Sequence, residues 1–191
     1  MLDVKIADAI RDSDPNEFKT QLDYYRTYSL NLLDNKFASQ IKYILDTFES
    51  KIFFEGHGEY DYDMYDDLLG LINMRNTRFQ DLIQRIQTAQ DEIVYYDSIL
   101  EAAEDGDILG LDMRLKGLSE ILDEVPQHFK YSYFEKILKD RMLPSYIKER
   151  ITTFLINQLE KGPIRRFLYE ESTLENNLLR EVEDLIDFNY S

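Results

Sequence analysis

The chain has 191 residues, 43% of them apolar and 13% aromatic, enough to bury a core and too aromatic for a disordered acidic tail. Thirty-eight Asp and Glu against twenty-two Lys and Arg leave a net charge of −16, which disfavours direct binding to nucleic-acid phosphates. Cysteine is absent, which excludes disulfides, thiolate metal sites and a cysteine nucleophile.

Helical periodicity runs through the whole chain, and only seven Gly and four Pro interrupt it. The first residues, MLDVKIADAIRDSD, are acidic and amphipathic, with neither the basic nor the apolar region of a secretory signal. Asp14-Pro15-Asn16-Glu17 is a helix-start signature, with Asp14 as cap, Pro15 in the first turn and Glu17 completing a capping box. From there Phe18, Leu22, Tyr25, Tyr28, Leu32 and Leu33 recur on one helical face. A second helix carries Phe37, Ile41, Ile44, Leu45, Phe48 and Ile52, and Glu55-Gly56-His57-Gly58-Glu59 breaks it.

Helical spacing resumes from about Tyr62 to Gln87, with Asn76-Thr77 as a possible interruption, and a separate helix is predicted from Ala89 to Glu104. Asp105-Gly106-Asp107 turns the chain into a helix through Leu111, Leu115, Leu118 and Leu122 that ends before Pro126. Tyr133, Phe134, Ile137 and Leu138 mark the next helix, and Pro144 opens another through Ile147, Ile151, Phe154, Leu155 and Leu159. Gly162-Pro163 is a break, followed by a short turn over Ile164–Tyr169. The last helix is predicted from Ser172, with Glu175 completing a second capping box. No segment alternates with the period of a strand. The sequence predicts an all-α multi-helix bundle or αα-hairpin array of eight or nine helices in a single domain, 1–191.

A weak internal echo suggests a pseudo-repeat of 1–93 and 94–191. At an offset of 93, Ala9-Ile10-Arg11-Asp12-Ser13-Asp14 parallels Ala102-Ala103-Glu104-Asp105-Gly106-Asp107, Leu22 parallels Leu115, and Ile44-Leu45 parallels Ile137-Leu138. Convergence on a good αα-turn accounts for the same echo.

The acids gather in three blocks. Residues 59–67 hold five carboxylates and three tyrosines without Lys or Arg, residues 91–107 hold seven acids and no base, and residues 170–187 hold seven acids against Arg180. Residues 128–166 reverse the sign, with nine bases against four acids, a pattern that an ordinary mixed helix surface also gives.

Motifs for chemistry are scarce. His57 and His128 are the two histidines, and neither belongs to a Glu-x-x-His or His-Glu-x-x-His pair. Glu171, Glu175, Glu181 and Asp184 have turn-like spacing suited to Mg²⁺, but they fall on one predicted helix and not on two facing ones. Counted from Asp61, an EF-hand loop fails at Asp66 and Ile72; counted from Asp105, it fails at Lys116. There is no phosphate loop and no nucleophile elbow. The motifs therefore call for no catalytic residue, metal or cofactor.

What remains is carboxylate interleaved with tyrosine. Tyr supplies contact area at low entropic cost, and a desolvated Asp pairs with a partner's Arg or Lys. The predicted partner-binding residues are Glu59, Tyr60, Asp61, Tyr62, Asp63, Tyr65, Asp66, Asp67, Tyr95 and Asp97. Such a composition resembles the surface that small inhibitors, toxin-neutralising immunity proteins among them, present to basic targets. The expected function is non-enzymatic binding of a basic protein partner, such as a toxin, a nuclease or a DNA-binding protein, with no direct nucleic acid and no membrane contact, in the cytoplasm. A phosphate-mimicking inhibitor of a DNA-binding protein, a Mg-dependent nucleotide hydrolase and a structural subunit of an assembly stay open as alternatives.

Overall fold

A computed structural model describes residues 1–75 and 79–190. The architecture is all-α, and the described residues form ten α-helices and one 3₁₀ turn. They are α1 (Leu2–Arg11), α2 (Pro15–Ser29), α3 (Asp34–Glu55), α4 (Asp61–Asn73), α5 (Gln80–Glu104), α6 (Ile108–Glu124), the 3₁₀ turn Pro126–His128, α7 (Tyr131–Lys139), α8 (Ser145–Lys161), α9 (Pro163–Glu171) and α10 (Leu178–Tyr190). The chain divides into two compact units, Met1–Val94 and Tyr95–Ser191, and α5 supplies residues to each.

Several boundaries differ from the sequence expectation, and the described residues form ten helices where the sequence predicts eight or nine. The predicted break between Gln87 and Ala89 is absent, and α5 runs unbroken from Gln80 to Glu104. No Gly or Pro stands between Gly70 and Gly106 to stop it. The possible interruption at Asn76-Thr77 lies outside the described residues. Ile164–Tyr169 is not a turn but the body of α9. At the other end, α10 starts at Leu178 and not at Ser172, because Thr173 and Asn176 exchange backbone hydrogen bonds (2.7 and 3.2 Å) that close a separate turn. The second capping box is thus not formed, and Asn177 Oδ1 accepts the Arg180 amide instead. The first box forms by half. Asp14 accepts the Glu17 amide at 3.0 Å, while the Glu17 carboxylate accepts from Gln21 Nε2.

In the first unit α1 packs against both α2 and α3. Ile6, Ala7, Ala9 and Ile10 are all buried, and the two alanines allow the close approach of neighbouring helices. Phe18 and Leu22 of α2, Ile41, Ile44 and Phe48 of α3, Met64, Tyr65 and Leu68 of α4, and Ile86 of α5 complete the core. Helix α2 ends four residues earlier than the apolar spacing suggests. Arg75, at the end of α4, donates to the carbonyl oxygens of Ser29 and Leu32, stacks over the Phe37 ring at 4.5 Å, and so takes the acceptors a longer helix would use. Leu33 consequently faces outward.

The second unit packs α8 against α7, α9 and α10, with α6 against α8 and α9. Phe134 is its aromatic centre, stacked on Phe129 (5.4 Å) and Phe154 (5.6 Å). Tyr96 ties the 3₁₀ turn to α7: its hydroxyl donates to the His128 carbonyl and accepts the Lys130 amide.

The sequence echo has a counterpart in the two turns. In each, the third turn residue's amide reaches back five residues at 3.0 Å, Asp14 to Ala9 and Asp107 to Ala102. The middle residue has positive φ, Ser13 at 52° and Gly106 at 69°. The Asp side chain then accepts the amide three residues on, Glu17 or Gly110. Whether the halves descend from one unit is a proposal for which this shared turn is the support. Loss of either cap, Asp14→Ala or Asp107→Ala, is expected to cost about 1 kcal/mol, read as a lowered denaturation midpoint. An unchanged midpoint in both would contradict the capping role.

Candidate functional site

The 59–67 block begins where α3 stops. Gly56 takes φ 80°, a left-handed conformation that favours glycine, and its amide closes the helix on the Ile52 carbonyl. The chain then crosses four residues to α4, and Asp61 anchors the crossing. Its Oδ2 accepts the Gly58 amide at 2.7 Å, and its Oδ1 lies 3.4 Å from the Lys51 Nζ of α3. Both side chains are sealed from water, at 6% exposed for Lys51 and 2% for Asp61. Asp61 therefore does not belong to a partner surface, contrary to the sequence expectation. Its charge is matched inside the protein.

Tyr65 is a second correction. It follows Asp61 by one helical turn on the same inward face, is buried, and stacks on Phe48 at 4.2 Å. Burial pushes its phenol well above the ordinary tyrosine range, and the nearby carboxylates Glu49 and Asp61 add to the shift. The helical period explains both corrections: Asp61, Met64, Tyr65 and Leu68 form the inward stripe. The intervening residues must then point outward.

Glu59, Tyr60, Tyr62, Asp63 and Asp66 are exposed, and Asp67 is half-buried. Tyr60 and Tyr62 keep 47% and 42% of their surface in solvent, which leaves ring area available for contact. Gln90 of α5, itself buried, donates to the Tyr62 carbonyl (3.3 Å) and to Asp66 Oδ1 (3.5 Å). It thereby docks α5 beside this strip, and α5 adds exposed Asp91 and Val94. Between Lys51 and Arg75 the sequence has no Lys or Arg. Among the described residues none forms an ion pair with Glu59, Asp63 or Asp66.

The other two predicted residues belong to the second unit. Tyr95 is half-buried, and its hydroxyl donates to the Arg114 carbonyl of α6. Gly117 leaves room for that hydroxyl, since a Cβ there would stand 2.9 Å from it. Asp97 is exposed on α5.

Lys51 was not singled out from sequence, although a signal existed. It continues the buried stripe of Ile44 and Phe48 at helical spacing, so a cation was due at a core position. A groove of about 790 Å³ between α6 and α8 had no such signal, because its pairs lie some forty residues apart in sequence. There Ser119 Oγ accepts from Gln158 Nε2 (2.6 Å) and Lys161 Nζ (2.8 Å). Lys161 also lies 3.5 Å from Asp123, and Arg150 pairs with Asp112 at 2.7 Å. These contacts tie α6 to α8.

Among the described residues no three His, Asp or Glu are placed to hold a metal ion. Glu171, Glu175 and the Glu181–Asp184 pair do not share one helix: they occupy the end of α9, the following loop and α10. Among the described residues no helix is long and apolar enough to cross a membrane. Comparison with family models, with curated proteins and with solved structures returns no match.

Two outcomes follow from the buried pair and the buried phenol. Lys51→Met leaves the Asp61 charge uncompensated and is expected to cost about 3–5 kcal/mol, whereas Lys51→Met with Asp61→Leu recovers most of that loss. A single-variant cost under about 1 kcal/mol in denaturant titration would refute the pairing. For Tyr65 the folded pKa is raised above the unfolded value of about 10, so its contribution is complete below that pH and lost as pH rises through the folded value. Stability should fall above about pH 10, and fall less in Tyr65→Phe. Equal alkaline losses in the two proteins would count against it.

Proposed function

We propose that this chain is a non-enzymatic, acidic helical protein that binds and occludes a basic protein partner through the outer face of α4. The observation that carries this reading is the sorting of the 59–67 block. Its one core-facing carboxylate is neutralised by Lys51, and the exposed acids stand with two half-exposed tyrosines on and just before a helix whose inner face is packed. A preorganised strip of this kind loses little conformational entropy when it is covered. Its unmatched charge steers a cationic surface toward it, and Tyr60 and Tyr62 supply the ring area to hold it.

A phosphate mimic that fills a DNA-binding channel needs a long row of carboxylates. The exposed acids from Glu59 to Asp66 cover only about two helical turns, roughly 10 Å, which favours a compact protein contact over a duplex-length one.

The test is retention of a binding partner from cells of the source organism by the wild-type chain and by a Tyr62→Ala, Asp63→Asn, Asp66→Asn variant, followed by kinetics with the protein retained. The partner should be basic, should be lost by the variant, and should associate at least about tenfold more slowly as salt rises from about 50 to 500 mM. An association rate indifferent to salt, or equal retention by the variant, would overturn the proposal.

A further inference from the structure

A different face of the first unit stands out for the opposite reason. Where α2 gives way to α3, Tyr24, Tyr28, Leu30 and Leu33 are 61%, 45%, 78% and 77% exposed, and Met74 at the end of α4 is 75% exposed. Tyr24 and Tyr28 are one helical turn apart on α2. Arg75, the residue after Met74, reaches the Ser29 and Leu32 carbonyls and lies 3.5 Å from Asp34, so the end of α4 and the α2–α3 joint are held together. Five large exposed apolar side chains therefore lie around the joint that Arg75 ties together, a grouping that marks a contact surface.

Charge and area choose the occupant. The chain carries −16 overall and repels its own copy over most of its surface. Over residues 18–36 the sign changes: Lys19, Arg26 and Lys36 outnumber Asp23 and Asp34, and Arg26 and Asp23 already pair at 3.5 Å. Within the first unit two copies repel less here than across the acidic strip on α4, to which a cationic partner is drawn instead. The five side chains leave roughly 600 Å² exposed per copy, so a twofold contact would cover about 1,200 Å², within the range of specific interfaces. Tyr, Leu and Met facing their own symmetry mates need no complementary second surface.

We infer that the chain forms a twofold homodimer through the α2–α3 joint, with Tyr24, Tyr28, Leu30, Leu33 and Met74 at its centre. The dimer leaves the strip on α4 out of the contact and does not depend on what that strip binds. Its salt response is also opposite. Salt screens the mutual repulsion of two −16 chains and tightens the dimer, while it weakens attraction of a basic partner.

Sedimentation of the full chain from about 1 to 100 µM, in about 50 and 500 mM salt, tests this directly. The wild type should pass from monomer to dimer as concentration rises, at lower concentration in high salt. Leu30→Lys with Leu33→Asp keeps the net charge at −16 and suits the fold, since a cation favours the end of α2 and Asp favours the cap of α3. It should raise the dimer dissociation constant at least about tenfold, with an unchanged circular-dichroism melt. Tyr24→Ser, a milder exposed change, should raise it in the same direction. A wild type that stays monomeric at the highest concentration in high salt overturns the inference, as does a dimer that both variants leave intact.

Discussion

A lysine ammonium and an aspartate carboxylate sealed from water at the α3–α4 joint are the constraint on which the rest of the first unit's surface depends. Neither Lys51 nor Asp61 can be buried alone without a large desolvation cost, so each dictates where the other must be. The carboxylate also holds the Gly58 amide, which closes the loop in one conformation. Once Asp61 is fixed inward, the helical period decides everything downstream. Tyr65 must stack on Phe48, and Tyr62, Asp63 and Asp66 must face water. One pair of charges thus converts an acidic stretch into a face with a defined composition.

The same logic of tying carbonyls and charges appears at the other end of α4. Arg75 takes the carbonyls of Ser29 and Leu32, ends α2 and leaves Leu30 and Leu33 outside the core. The two ends of α4 therefore set two unlike surfaces on one unit. One is acidic and tyrosine-bearing, the other apolar and close to neutral. Coulomb forces act on them in opposite senses, which is why a salt series separates their roles.

Much of the fold was legible in the sequence, because helical spacing of Phe18, Leu22 and Tyr25, or of Phe37, Ile41 and Ile44, reports directly which face is buried. The Asp-small-Asp turns were legible for the same reason: a positive φ and a cap are local demands. Helix ends that depend on distant partners were not. Arg75 acts on carbonyls more than forty residues away, and Thr173 and Asn176 close a turn that outcompetes a plausible capping box. Composition located the acidic block but treated its members alike. Asp61 and Tyr65 left the surface through contacts with Lys51 and Phe48, residues of another helix. Reading Lys51 as a cation in a core stripe would have required asking what neutralises it.

Amide hydrogen exchange at the α3–α4 joint measures the central constraint most directly. If the buried pair fixes the joint, the Gly58 amide should exchange in wild type nearly as slowly as core amides of α3, and Asp61→Asn should release Gly58 and the start of α4 far more than the rest of the unit. A Gly58 amide that already exchanges in wild type at the rate of an open loop would contradict the account.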